Sequence, residues 1–174
     1  MGKYSPFALE KALSSLTLLV DTREQDTPAL RERLRSCGLP HRREKLDFGD
    51  YSCAYLDQDG EEQSLAGVVA IERKMSLDEL CLCFGKDRGR FEREFRRAKE
   101  AGARLYLLVE NASWEDVLHG RYRSRMKPAA LLASLLAWQE RYDLRVVFCR
   151  RETTGVMLHK ILRYALKVRL EGEE

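Results

Sequence analysis

The chain has 174 residues, the length of one compact domain, and its apolar fraction of 44% is enough for a buried core. The 31 Lys and Arg against 28 Asp and Glu leave a net charge of only +3, which argues against disorder driven by charge repulsion. A membrane helix needs about 20 consecutive apolar residues, and no stretch of this chain is that long. The N-terminus lacks a secretory signal. The five cysteines are scattered and do not indicate a disulfide framework. We therefore expect an intracellular domain (cytoplasm or nucleoid, or nucleus) that is neither secreted nor membrane-bound.

The first half of the chain shows the patterns of strands, one helix and a hairpin. Strands are predicted over residues 16–20, 42–47, 50–56 and 67–73. Thr27 and Pro28 form an N-cap and first helical position, and Gly38 ends that helix. The polar connector at 57–64 predicts a hairpin between the last two strands.

The second half alternates helices with two further strands. Helices are predicted from Ser76, over 88–101, from Ser113, over 128–142, and from Thr153 or Thr154 to about 168. Strands are predicted over residues 105–109 and 144–149. This order indicates one α/β domain with a mixed sheet.

An acid and a lysine stand at the polar end of the apolar run at 69–74. Alternate residues of a strand point to the same face, so Glu72 and Lys74 point together. Ile71 and Arg73 point the other way. Burying an acid and a lysine is costly unless they are paired or used, so the pair is a candidate for catalysis.

Two aspartates bring further carboxylates to this region. A hairpin centred near Glu61 sets Asp50 roughly opposite Glu72, and Asp21 ends the first strand, where α/β sheets place ligands. Converging carboxylates repel unless a cation lies between them, and Mg²⁺ needs only two or three acids because it keeps several waters. With a lysine to orient the attacking water, this set suits phosphodiester hydrolysis.

Other interpretations of the same residues stay open on spacing alone. Asp50 follows Gly49 and is also typical of a turn, and Asp78 is also typical of a first-turn acid that complements a helix dipole. Glu72 and Lys74 also fit an ion pair on an exposed strand end.

Four segments resemble, in order, the motifs of the XPF-type nuclease family, which includes archaeal Hef. They are Val-Asp-Thr-Arg-Glu at 20–24, Gly-Asp-Tyr at 49–51, Glu-Arg-Lys-x-x-x-Asp at 72–78 and Gly-Arg-Phe at 89–91. Glu94 stands where Gln is common in the family. The resemblance covers about residues 15–168, and four motifs in order are far more specific than one.

The resemblance implies a restriction-endonuclease-like fold, a mixed β-sheet flanked by helices, over residues 15–170 after an N-terminal extension at 1–14. It also implies Mg²⁺- or Mn²⁺-dependent cutting of branched DNA (flap, fork or junction) in repair or recombination. Neither the helix-hairpin-helix nor the helicase domain of many relatives is recognisable, so a partner that loads the domain onto DNA is expected. A non-cutting DNA-binding subunit and a less structure-selective nuclease are the alternatives.

The resemblance also assigns roles to single residues. Asp21, Asp50 and Glu72 would bind the metal, Lys74 would be catalytic and Asp78 a supporting acid. Arg23 would contact phosphate, and Arg73, the remaining residue of the catalytic set, would pack or pair within the site.

Two basic stretches are candidates for DNA contact. The helix predicted over 88–101 carries Arg90, Arg93 and Arg97 on one stripe, beside an apolar stripe of Phe91, Phe95 and Ala98. The segment at 121–127 holds the cations Arg121, Arg123, Arg125 and Lys127 without an acid. Phosphate neutralisation favours DNA binding by both stretches, although a solvated face and a basic surface loop explain them equally well.

Wide apolar faces at 129–138 and 156–168 indicate either a larger core or a self-complementary interface. XPF-type nuclease domains dimerise, so the resemblance implies a homodimer through these C-terminal helices.

Overall fold

The computed structural model describes residues 4–172, and its centre is a mixed seven-stranded sheet, which confirms the predicted α/β class. The strands are β1 (Thr17–Asp21), β2 (His41–Glu44), β3 (Tyr51–Leu56), β4 (Glu62–Ser64), β5 (Val69–Lys74), β6 (Arg104–Glu110) and β7 (Arg145–Cys149). Their order is β2-β1-β3-β5-β6-β7, with β4 paired to β3. β3 is antiparallel to β1, β4 and β5, whereas the pairs β1–β2, β5–β6 and β6–β7 are parallel.

Helices cover both faces of the sheet. They are α1 (Pro6–Ser14), α2 (Pro28–Cys37), α3 (Leu77–Phe84), α4 (Arg88–Glu100), α5 (Trp114–His119), α6 (Pro128–Tyr142) and α7 (Thr154–Glu171). One apolar core joins the sheet to α3, α4, α5 and α6, and a second joins it to α1, α2 and α7. Among the described residues, no helix is both long and apolar enough to cross a membrane.

Local signals explain where several helices begin and end. The Thr27 hydroxyl accepts a hydrogen bond from the Leu30 amide at 3.1 Å, and Gly38 ends α2 with a φ of +71°. The segment expected to be an N-terminal extension contains α1, in which Ala12 and Leu13 are buried against the second core.

The hairpin between β3 and β5 contains an interruption that the sequence does not predict. Ala54 pairs with Ser64 near the tip, whereas Tyr51 pairs with Ile71 at the base. The step from Tyr51 to Ala54 is three residues, whereas the step between their partners, from Ser64 to Ile71, is seven. The returning chain therefore has four extra residues, which form the turn over 65–68. The returning arm is therefore split into β4, inside the expected polar connector, and β5.

Candidate active site

Two carboxylates lie side by side where β3 begins and β5 approaches its end. The antiparallel pair Tyr51–Ile71 places the preceding residue, Asp50, next to Glu72, as the hairpin predicts. The Asp50 amide donates to the Ile71 carbonyl at 2.8 Å, and the Asp50 Oδ2 accepts from the Arg73 amide at 2.8 Å. The backbone of β5 therefore fixes both the main chain and the side chain of Asp50.

The surroundings of these two carboxylates disfavour their ionised forms. Burial raises the pKa of Asp50 well above its ordinary value, and the negative charges of Glu72 and Glu24 raise it further. Burial also raises the pKa of Glu72 to about 7, although the neighbouring Lys74 acts in the opposite direction. Glu72 is only 5% exposed. A cation bound beside the two carboxylates would favour their ionised forms and lower both pKa values.

Lys74 is held as a cation beside Glu72. Its Nζ lies 2.6 Å from Glu72 Oε1 and 3.9 Å from Glu79 Oε1. The same nitrogen lies 5.0 Å from the centre of the Phe91 ring, a cation–π contact. Burial lowers the pKa of Lys74, but the charge of Glu72, its hydrogen bond with Lys74 and the nearby Cys83 and Asp50 together raise the pKa by more, so the net shift is upward. The predicted pairing of Glu72 with Lys74 on one face is confirmed.

Asp21 is buried at the end of β1, and both of its carboxylate oxygens have partners. Oδ1 accepts from the Arg23 amide at 2.8 Å and from the Arg23 Nε at 2.6 Å, and Oδ2 accepts from the Leu46 amide at 2.8 Å. Burial raises its pKa, but these hydrogen bonds outweigh burial and hold the pKa below its ordinary value. Over residues 4–172 the structure shows no group of three or more acid, His or Cys side chains placed to hold one metal. Asp50 and Glu72 are thus brought together without Asp21.

The turn before Asp50 requires a glycine and uses an acid from another helix. Gly49 has a φ of +74°, and a Cβ there would lie 2.9 Å from the Ala70 Cβ. The Glu94 carboxylate, on α4, accepts a hydrogen bond from the Gly49 amide at 2.7 Å. The substitution of Glu for the common Gln at this position therefore leaves the side chain able to accept from the turn.

Arg73 faces the other side of the sheet, as strand alternation predicts. Its guanidinium lies 3.0 Å from Glu110 Oε2, while its amide holds Asp50. Arg33 donates to the Tyr51 hydroxyl at 2.9 Å and lies 3.6 Å from Glu110 Oε1. The Tyr51 hydroxyl in turn donates to Glu24 Oε2 at 2.8 Å. A buried polar network therefore supports the carboxylate pair from behind, and Arg73 pairs within it.

Sequence reasoning missed Arg33 and Glu110 in this network, although a signal was present for each. Glu110 directly follows the buried run at 105–109, just as Asp21 follows its own strand. Arg33 shares the buried side of α2 with Leu30 and Cys37. A charged residue at a position whose helical neighbours are core residues indicates a buried ion pair.

Asp78 lies on α3 and has partners outside the carboxylate pair. Its Oδ1 accepts from the amides of Arg123 and Ser124, both at 2.8 Å, and its Oδ2 lies 3.4 Å from the Arg123 Nε. Asp78 therefore fixes the basic segment at 121–127. The predicted role of Asp78 as a supporting acid of the site stays a prediction.

The predicted DNA-contacting cations lie on the surface, in two groups. Arg97 donates to the Asp47 carbonyl at 3.1 Å, and Arg121 lies 3.5 Å from Asp116 Oδ1. Within residues 4–172, four further side chains make no hydrogen bond or ion pair: Arg90, Arg93, Arg125 and Lys127. The α4 group shares its helix with Phe91 and Glu94, so it borders the carboxylate pair.

Comparisons with known proteins bear on the family and the fold of this chain. The family model described as ERCC4 domain matches residues 20–161. The solved structure of XPF from Aeropyrum pernix has a TM-score of 0.61 and 24% identity over 86% of this chain and 64% of that chain. The structure of XPF from Aeropyrum pernix in complex with DNA has the same TM-score and identity over 87% of this chain and 65% of that chain.

The chain thus spans 64–65% of the length of these solved chains. No curated protein sequence matched it. Identity at this level establishes a shared fold, and the family model adds a match in sequence over most of the chain. The chain therefore belongs to the ERCC4 domain family, and its fold is that of an XPF-type nuclease domain.

Proposed function

We propose that this domain is a divalent-metal-dependent endonuclease that hydrolyses phosphodiester bonds in branched DNA inside the cell, in repair or recombination. The observation that carries the proposal is the pair of neighbouring carboxylates, Asp50 and Glu72, with the Lys74 amine 2.6 Å from Glu72. Two carboxylates that can bind a metal, with a lysine ammonium beside them, are the groups that attack of water on a phosphate requires.

The residues present fit a hard divalent cation. Asp50 and Glu72 offer carboxylate oxygens, the ligands that Mg²⁺ and Mn²⁺ prefer. Burial is the main cause of their raised pKa values, and a bound cation would offset the cost of ionising both groups there. Asp21 remains a predicted ligand that would have to exchange Arg23 for the metal. A bound cation would polarise a phosphoryl oxygen and lower the pKa of a water molecule.

The chain's own groups supply orientation and charge. The Arg73 amide holds Asp50 in place, and the turn at Gly49 is held by Glu94. Lys74 stays protonated, so it can donate hydrogen bonds to a phosphate oxygen or to the attacking water. Such preorganised groups need no rearrangement when charge develops on the phosphate.

DNA would be held by the surface cations beside the site. Arg90 and Arg93 on α4, and Arg125 and Lys127 in the segment fixed by Asp78, have unused hydrogen-bond donors. Arg23 keeps an exposed guanidinium whose Nε binds Asp21. Phosphates bound by these groups would position the duplex without reading its sequence.

Cleavage of labelled flap, fork and Holliday-junction DNA with Mg²⁺ or Mn²⁺ tests the proposal. We expect metal-dependent cutting that falls by at least roughly 100-fold in Asp50→Asn and Glu72→Gln, since several kcal/mol of transition-state stabilisation would be lost. The matched control is Asp59→Asn, at an exposed acid of the hairpin turn.

Three results would each contradict part of this proposal. Full cutting by both variants would exclude the proposed site. DNA binding without metal-dependent cutting would identify a non-cutting subunit, and equal cutting of linear and branched DNA would remove the preference for branches.

A further inference from the structure

A cleft of about 560 Å³, the basic cleft, lies away from the carboxylate pair. The strands β5, β6 and β7 are parallel, so their first residues meet at one end of the sheet, opposite to the end that carries Glu72 and Lys74. Val69, Arg104 and Arg145 line the cleft from these strand starts, and Tyr164 lines it from the far end of α7. Its volume lies within the range of small-molecule sites, roughly 300–1,000 Å³.

The lining of this cleft is positively charged. Among the described residues it contains Arg104, Arg145 and Arg169 and no acid. The Nε of Arg104 lies 4.0 Å from Asp143 Oδ2, too far for a hydrogen bond. Neither Arg104 nor Arg145 donates a side-chain hydrogen bond to a residue within 4–172. Two guanidinium groups therefore keep their donors for an anion.

Two tyrosines accompany these arginines. The Arg145 guanidinium lies 5.8 Å from the centre of the Tyr106 ring, which orients it while its N–H groups stay unused. Tyr164 is 60% exposed, so one face of its ring is open to a ligand. An exposed ring beside arginines matches the parts of a nucleotide, a planar base and a phosphate.

We propose that this cleft binds a nucleotide unit of single-stranded DNA, with phosphates on Arg104 and Arg145 and a base stacked on Tyr164. An acidic peptide would satisfy the arginines but leave Tyr164 without a planar partner, and duplex DNA hides its base faces. The proposal rests on the proposed function only in that the strand would be an unpaired arm of the branched substrate.

The test measures binding of fluorescein-labelled oligothymidylate by anisotropy in EDTA, where no cutting occurs. We expect Tyr164→Ala and the double variant R104A/R145A each to weaken binding roughly fivefold or more, the loss of about one stacked base or phosphate contact. Tyr164→Phe keeps the ring and should bind like the wild type. Lys160→Ala, at an exposed lysine on the same helix, is the control.

Two other outcomes would overturn the proposal that the cleft binds single-stranded DNA. One is binding by all variants within twofold of the wild type, and the other is an equal loss of binding to a blunt duplex. Loss in R104A/R145A without loss in Tyr164→Ala indicates an anion site only and overturns the nucleotide claim. Cutting of a fork by the wild-type protein is scored separately, so failure of the proposed nuclease function is distinguishable from failure of the cleft.

Discussion

Strand alternation at the end of β5 separates two kinds of charge at the scale of single residues. Glu72 and Lys74 face α4, whereas Arg73 faces the network of Glu110 and Arg33. Each buried charge therefore has an opposite charge on its own face, which offsets the cost of removing it from water. The remaining excess is negative, at Asp50 and Glu72, where the proposal places a cation.

Stability should depend on pH and metal through Glu72. Burial raises its pKa to about 7 from an ordinary 4.5, so ionising it costs more in the folded than in the unfolded chain. The free energy of unfolding of the metal-free protein should therefore fall as pH rises from about 4.5 to 7, and the cost is fully present above that range. A cation favours the ionised form, so Mg²⁺ should raise the Tm more at pH 8 than at pH 5.

Thermal melting between these pH values, with EDTA or with Mg²⁺, measures both effects. Glu72→Gln should flatten the dependence on pH and reduce the shift with Mg²⁺, each kcal/mol corresponding to about 2–4 °C in Tm. Glu100→Gln, at an exposed acid of α4, is the control. An equal Mg²⁺ shift in the wild type and in Glu72→Gln would place the metal elsewhere.

At the scale of elements, the crossing of α2 and α7 leaves no room for a side chain at Gly155. A Cβ there would lie 2.1 Å from the Ser36 Oγ and 2.2 Å from the Arg33 carbonyl. This crossing also holds Arg33, whose guanidinium reaches Tyr51 and Glu110 behind the carboxylates. The spacing of two helices therefore controls the support of the site.

Gly155→Ala should separate the two helices and destabilise the protein by about 1–3 kcal/mol or more, because backbone atoms must move. Gly89→Ala is the matched control, since Gly89 is also helical and a Cβ there meets only the Arg93 side chain, at 3.8 Å. It should leave the Tm unchanged or raise it, because Ala favours helix over Gly by about 1 kcal/mol. Urea unfolding measures both variants, and a neutral Gly155→Ala would contradict the tight crossing.

At the scale of the whole molecule, the small net charge of +3 conceals segregated charges. Basic side chains collect on α4, on the segment at 121–127 and in the basic cleft, whereas acids form the candidate site. The sheet also ends at β7, an edge strand, and Leu136 on α6 and Val156 on α7 are 48% and 44% exposed. An unpaired edge with exposed apolar neighbours favours self-association, which is the basis on which we propose a homodimer.

Light scattering coupled to size exclusion tests the homodimer. We expect the wild type to elute as a dimer and the double variant L136E/V156E as a folded monomer, because both side chains are exposed in the monomer. Phe7→Glu, at an 82% exposed position on α1, should leave the dimer intact. A wild type that stays monomeric as its concentration rises would contradict the proposed homodimer.

The pairing of Asp50 with Glu72 could be predicted because a hairpin and strand alternation leave few arrangements. The prediction rested on a simple hairpin centred near Glu61, whereas the structure reaches the same pairing through a four-residue insertion at 65–68. The partners of Asp21 and Asp78 could not be predicted. Apart from Arg23, two residues from Asp21, they include the amides of Leu46, Arg123 and Ser124, far along the chain, and no periodic pattern encodes such contacts.

The sequence by itself determined the order of most elements (all but α1 and β4), the four motifs and the face on which each residue of β5 points, because these follow from local backbone geometry and short spacings. Only the tertiary structure decided which charges meet. Arg33 reaches Glu110, Glu94 reaches Gly49, and three strand starts and the end of α7 assemble a basic cleft. These contacts join residues from separate elements, and their positions depend on how helices pack on the sheet rather than on any local preference.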